Sequence, residues 1–91
     1  MPLSEPEITA ALASIPGWSF SGKAIERTYK FPDFVAALAF VNQVAAAAEK
    51  ANHHPDIAIH YNQVTLTLWS HDSGGVTKRD LKMAATINAI L

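Results

Sequence analysis

The sequence predicts an α+β domain of two layers, a four-stranded antiparallel sheet with three helices on one face, in the order α-β-β-α-β-β-α. Three observations carry this expectation. An alanine-rich, apolar segment with helical periodicity fills the middle of the chain, from Phe34 to about Ala51. A Ser/Thr-x-x-acid pattern opens an apolar-periodic segment near each end, Ser4 with Glu7 and Thr77 with Asp80. Between these helices lie two stretches that read as strand pairs, one of them alternating apolar and polar residues.

Each element has a local cause. The first helix carries Ile8, Leu12 and Ile15 on one face and ends at Pro16-Gly17. Trp18-Ser19-Phe20 is a short strand, and Ser21-Gly22-Lys23 turns the chain. Ile25, Arg27, Tyr29 and Phe31 then alternate with Glu26, Thr28 and Lys30 as a second strand. Pro32-Asp33 opens the long helix. Its expected apolar face takes Phe34, Ala37, Leu38, Val41, Val44, Ala45 and Ala48, and alanine is the strongest helix former. Asn52 suits the left-handed residue that ends such a helix. A second strand pair, Asp56–Tyr61 and Val64–Trp69, is joined through Asn62-Gln63. Ser70 to Val76 is a loop with Gly74-Gly75, and the last helix runs through Leu81, Ala84, Ile87 and Leu91.

Length and composition bound the function. Residues 1–91 make one small domain. Hydrophobic residues make up 49% and charged residues 16%, so part of the surface is expected to be hidden in an oligomer. The net charge of −1 without a basic cluster argues against nucleic acid. There is no cysteine, which removes thiolate nucleophiles, disulfides and cysteine-ligated zinc. The first residues lack the pattern of a signal peptide, and the longest apolar run, Phe34 to Val41, is short for a membrane span. A soluble, cytoplasmic protein is the expectation.

The chemistry-bearing feature is His53-His54-Pro55, followed across a hairpin by His71. Histidine gains and loses a proton near neutrality, with an unperturbed pKa of about 6.5. If Asn62-Gln63 is a two-residue turn, Tyr61 pairs with Val64, Ile59 with Leu66 and Ile57 with Leu68, all on a core-facing side. The other side then carries His60 opposite Thr65, and the register carried outward sets His54 opposite His71. Pro55 keeps His54 extended. His53 falls near the negative end of the long helix. His60 reads as an ordinary exposed strand residue. Zinc bound by the three imidazoles, with Asp56 or Asp72 supplying oxygen, is the competing reading. Adjacent His53 and His54 point in different directions, which weighs against it. Ser70 beside His71 carries no readable oxyanion arrangement.

These residues resemble the pterin-4a-carbinolamine dehydratase family. The resemblance rests on Glu49, His53-His54-Pro55, Tyr61-Asn62, the strand Val64–Leu68, Ser70-His71, Gly74-Gly75 and Asp80, with Trp18 agreeing more loosely. Ser70 stands where Thr is common, and Trp69 is bulkier than the usual residue there. The resemblance implies a helix-covered four-stranded sheet assembled as a homodimer or homotetramer. It implies a 4a-hydroxytetrahydropterin as substrate, dehydrated to the quinonoid dihydropterin in tetrahydropterin recycling, with no metal and no cofactor. His53, His54 and His71 would carry the proton transfers, and Asn52, Trp69, Ser70 and Asp72 would join them around the pterin. Pro55, Glu49 and Asp80 would support them. A non-catalytic dimerisation or assembly role on the same fold is the alternative.

The chemistry suits such residues. Expelling hydroxide from C4a requires a proton for the leaving oxygen and a base for the N5 proton. Each positioned donor or acceptor contributes about 10²–10⁴-fold. Trp69 offers a flat surface to the ring or packs at a subunit contact. Asp80 reads mainly as a helix cap and Glu49 as a solvated helix residue.

Overall fold

The computed structural model describes residues 2–91. Its elements run α1 (Glu5–Leu12), β1 (Ser19–Ser21), β2 (Ala24–Lys30), α2 (Phe34–Ala51), β3 (Asp56–His60), β4 (Gln63–Leu68) and α3 (Lys78–Ile90). The four strands form one antiparallel sheet in the order β1-β2-β4-β3. The expected α+β class and element order hold.

Both predicted capping boxes form. Ser4 accepts from the Glu7 amide while Glu7 reaches back to the Ser4 amide, and Thr77 and Asp80 do the same for α3. Asp33 caps α2 by accepting from the Ala36 amide at 2.8 Å. Asn52 ends α2 in the left-handed conformation, with φ 51°. Each cap satisfies helix-end groups that would otherwise lack partners.

The sheet has an apolar and a polar side. Val64, Leu66 and Leu68 of β4 and Ile25 and Tyr29 of β2 are buried with Ile8, Phe40, Val44 and Ile87 of the three helices. On the other side, Thr28 and Thr65 hydroxyls meet at 2.8 Å and Thr67 donates to Glu26 at 3.4 Å. Strand alternation therefore sorts one core from one polar surface.

Three expectations need correction. The hairpin turns at Tyr61-Asn62, so His60 pairs with Gln63, Ile59 with Val64 and Ile57 with Leu66. Asparagine tolerates positive φ, yet Asn62 is not the turn residue that adopts it. Instead the positive φ, 53°, falls on Tyr61. The Asn62 side chain donates to the Phe31 carbonyl at 2.8 Å and its carbonyl accepts from the Phe31 amide at 2.8 Å, tying the turn to the end of β2. The shift is two residues, so no side chain changes face. It does, however, set His54 across from Trp69 on the extrapolated ladder instead of His71.

Second, Ile57, Ile59 and Tyr61 are not core residues; they are 39%, 37% and 66% exposed. Ile57 and Ile59 sit on the edge strand β3 and Tyr61 in the turn after it, and the buried core lies over β2 and β4. Third, the buried stripe of α2 is Ala37, Phe40, Val44 and Ala48, while Phe34, Leu38 and Ala45 face outward. The apolar arc of this helix is wider than the sheet can cover. By length and composition α2 would also pass for a membrane span, yet this stripe of it is packed in the core.

Candidate active site

Three chain segments converge at one end of the sheet. The C-terminal cap of α2 brings Asn52 and then His53-His54; the exit of β4 brings Trp69, Ser70, His71 and Asp72; the first turn of α3 brings Arg79. These side chains line an open cavity of about 300 Å³. All three histidines of the predicted site are therefore brought together. They meet around the end of the hairpin, not as an opposed pair on its ladder. His60 is exposed on β3 and does not line the cavity.

His53 is the most firmly held imidazole. Its Nε2 lies 2.5 Å from Oδ1 of Asp80, with the two side chains 12% and 0% exposed. The other Asp80 oxygen accepts from the Ser70 hydroxyl at 2.9 Å and from the Thr77 amide at 2.9 Å. Nε2 is thereby taken by Asp80, and Nδ1 remains for other partners. Asp80 is thus both a helix cap and the partner of His53. The sequence pattern revealed the first role and the resemblance named Asp80 as a support, but the contact with His53 itself, spanning 27 residues, was not legible.

The other two imidazoles are looser. His54 Nε2 meets Glu49 Oε2 at the solvent-exposed end of α2. An exposed pair of this kind orients the ring but contributes little stability. Glu49 is therefore solvated, as its helical position suggested, and also bonded to His54. Pro55 is buried and disfavours helical backbone at His54, the residue before it. His71 stacks on Trp69, with ring centroids 3.8 Å apart and planes 35° apart, and makes no hydrogen bond to another described residue.

The loop that presents His71 is closed on itself. The Ser70 amide donates to the Gly75 carbonyl at 2.9 Å, and the Gly74 amide donates back to the Ser70 carbonyl at 2.9 Å. Gly74 takes a φ of +75°, which suits a residue without Cβ. Ser70 is buried beneath this loop and linked to Thr77 as well as to Asp80. Its hydroxyl is thus engaged by Thr77 and Asp80 beneath the cavity.

Arg79 is the lining residue that sequence reasoning missed. Its Nη2 donates to Asp72 Oδ1 at 2.6 Å, and this contact lowers the Asp72 pKa below the ordinary carboxylate value. In the sequence, Lys78-Arg79 resembles a solvated helix start. The available signal was an acid in the glycine loop followed by a cation in the first turn of the next helix. Among the described residues, no three His, Asp or Glu side chains converge as a metal-binding group would require.

An imidazole-lined pocket at the end of a helix-backed antiparallel sheet places the chain in a class of small, two-layer α+β proteins. Within that class, the chain belongs to the pterin 4 alpha carbinolamine dehydratase family, whose family model matches residues 1–90. A provisionally named pterin-4-alpha-carbinolamine dehydratase of Koribacter versatilis is 60% identical, covering 97% of this chain and 94% of its own. A solved structure of a transcriptional coactivator/pterin dehydratase from Brucella melitensis is 44% identical with a TM-score of 0.93, covering 99% of this chain and 98% of that one. A pterin dehydratase-like protein identified as a RuBisCO assembly factor in the alpha-carboxysome shares the fold at 23% identity and a TM-score of 0.71, over 81% and 88% of the two chains.

Proposed function

We propose that this protein dehydrates a 4a-hydroxytetrahydropterin to the quinonoid dihydropterin by histidine acid–base catalysis, in cytoplasmic tetrahydropterin recycling. The observation that carries this reading is the gathering of His53, His54 and His71 with Trp69 and Asn52 around one open cavity.

The balance of the reaction is simple. The C4a–O bond breaks with a proton delivered to the departing oxygen, N5 loses its proton, and its electron pair forms the C4a=N5 bond. One water leaves, and no oxidant or reductant is needed. His53 is suited to the acid role, because the buried Asp80 carboxylate faces its ring with negative charge as an imidazolium would require. His71 and His54, both exposed to solvent, are suited to take the N5 proton and return it to water. Trp69 with its stacked His71 offers a flat wall to the bicycle. Asn52, Ser70 and Asp72 supply polar groups at the rim or beneath it.

We assign the assembled form as a homodimer or homotetramer of this chain. Its apolar contacts would come from the uncovered part of α2, where Phe34, Val35 and Leu38 are exposed, and from edge strand β3 with Ile57 and Ile59. A binding role without catalysis is the second reading, favoured by the assembly-factor neighbour of the same fold. A family of three gathered imidazoles favours chemistry over that role.

Alanine substitution separates the two. His54→Ala or His71→Ala should each lower the dehydration rate by about tenfold or more while leaving thermal stability nearly unchanged. His53→Ala should lower the rate and also cost stability, because it leaves the buried Asp80 carboxylate without its imidazole partner. Unchanged rates in all three variants would overturn the catalytic reading.

A further inference from the structure

A second groove opens beside the candidate site and shares His53 and Arg79 with it. It runs between α2 and α3 with a volume of about 460 Å³. Its floor is apolar, from Ala47 and Ala51 on α2 and Met83 on α3. Its walls carry Lys50, Arg79 and Lys82. Helical spacing explains the arrangement, since positions 47, 50 and 51 share one face of α2, and 79, 82 and 83 share one face of α3.

The charge here is out of proportion to the chain. Three of the seven lysines and arginines line this one groove, in a protein whose net charge is −1. No Asp or Glu lines it. Arg79 is held by Asp72 at the rim of the neighbouring cavity, whereas Lys50 and Lys82 have no ion-pair partner among the described residues. A cleft lined by one sign of charge concentrates ligands of the opposite sign.

The position relative to the reacting atoms gives the ligand. The cavity of about 300 Å³ lies at the low end of small-molecule sites, enough for a bare bicyclic ring. In a pterin, C6 is bonded to N5, so a C6 substituent leaves the ring next to the atoms that react. The groove begins at His53, the residue assigned to the leaving hydroxyl. We infer that the groove between α2 and α3 receives the C6 substituent of the substrate, and that this substituent carries a negative charge, as a phosphate ester or carboxylate. The inference rests on the pterin reading above and narrows it to anionic pterins. Lys50 and Lys82 bind the charge, and the apolar floor takes the carbon chain.

Fluorescence titration of the whole protein tests this with three oxidised pterins: 6-hydroxymethylpterin, its phosphate monoester, and folate with carboxylates at the end of a longer C6 substituent. At low ionic strength at least one anionic probe should bind about fivefold or more tightly than the neutral one, with the advantage shrinking as salt is added. A gain for the phosphate ester alone assigns a short phosphorylated substituent; a gain for folate alone assigns a longer carboxylated one. The K50Q/K82Q variant should lose the advantage and keep its affinity for 6-hydroxymethylpterin. Equal binding of neutral and anionic probes, or an advantage that survives in K50Q/K82Q, overturns the groove assignment and leaves the dehydratase reading standing. Failure of all three to bind overturns both.

Discussion

His53 Nε2 and Asp80 Oδ1 lie 2.5 Å apart, joining the first extended residues after α2 to the first turn of α3. The carboxylate is buried and already engaged by Ser70 and Thr77, so its position is fixed by the helix cap before any substrate arrives. One capping box thus serves two purposes: it starts a helix and orients an imidazole. Asp80→Asn should lower the dehydration rate by about tenfold or more, because the charge facing His53 is lost. A cap alone would give a penalty independent of His53. The His53→Ala/Asp80→Asn double variant should therefore be little worse than the poorer single variant, measured as a double-mutant cycle on kcat/KM. Additive losses would show that Asp80 does not act through His53.

Tyr61 adopts a φ of 53° at the hairpin tip, unusual for a bulky residue. Asparagine tolerates this region better, and the Tyr61 side chain is largely exposed. Tyr61→Asn should raise stability by a few tenths to about 1 kcal/mol in urea unfolding. The same substitution at the end of a regular strand would lower stability, so a loss would contradict the observed turn.

Asn88 closes a polar cluster toward the C-terminal end of α3. Its Oδ1 accepts from Trp18 Nε1 at 3.0 Å, Arg27 Nη1 at 2.8 Å and Tyr29 Oη at 2.5 Å, while its Nδ2 donates to the Pro16 carbonyl at 3.0 Å. Arg27 also lies over the Tyr29 ring at 4.2 Å and donates to the Pro16 carbonyl at 2.8 Å. Asn88→Leu leaves these donors without their acceptor and should cost about 2–4 kcal/mol in chemical unfolding. Below the unfolding transition, the dehydration rate should stay near that of the parent, because none of these residues lines the cavity.

Stability should depend on pH at both ends. Burial raises the Tyr29 phenol above its ordinary value. A raised folded-state pKa means that its contribution is intact below about pH 10 and lost as pH climbs toward the folded value. The Tm should fall over that range, and Tyr29→Phe should flatten the fall. At the acid end the sign reverses. The Ser4 amide holds Glu7 below the usual carboxylate value, and Arg79 does the same for Asp72. Their contributions are present above about pH 4 and vanish as pH drops through the folded values. Tm measured across both ranges checks the two signs.

Much of the fold was legible because its causes are local. Ser4 with Glu7, Thr77 with Asp80, and Asn52 are caps whose partners lie within a few residues, and alternation in β2 and β4 follows from neighbours in sequence. What failed depended on distant parts of the chain. The burial of Ile57 and Ile59 was misjudged because strand order, not alternation, makes β3 an edge. The turn was misplaced because Asn62 is held by Phe31 across 31 residues. At the site, residue identity was legible and mutual placement was not. The motif supplied His53, His54 and His71, but only the three-dimensional contacts reveal that Asp80 backs His53 and Glu49 bonds His54. The Arg79–Asp72 pair had opposite charges as its only sequence signal.

The most direct measurement is a stopped-flow assay in which a hydroxylase generates a 4a-hydroxytetrahydropterin and its loss is followed with and without the purified protein. Substoichiometric wild-type protein should speed formation of the quinonoid dihydropterin by about tenfold or more over the spontaneous rate, and the His53→Ala/His71→Ala double variant should return it close to that rate. A decay that runs equally fast with and without wild-type protein would contradict the dehydratase reading.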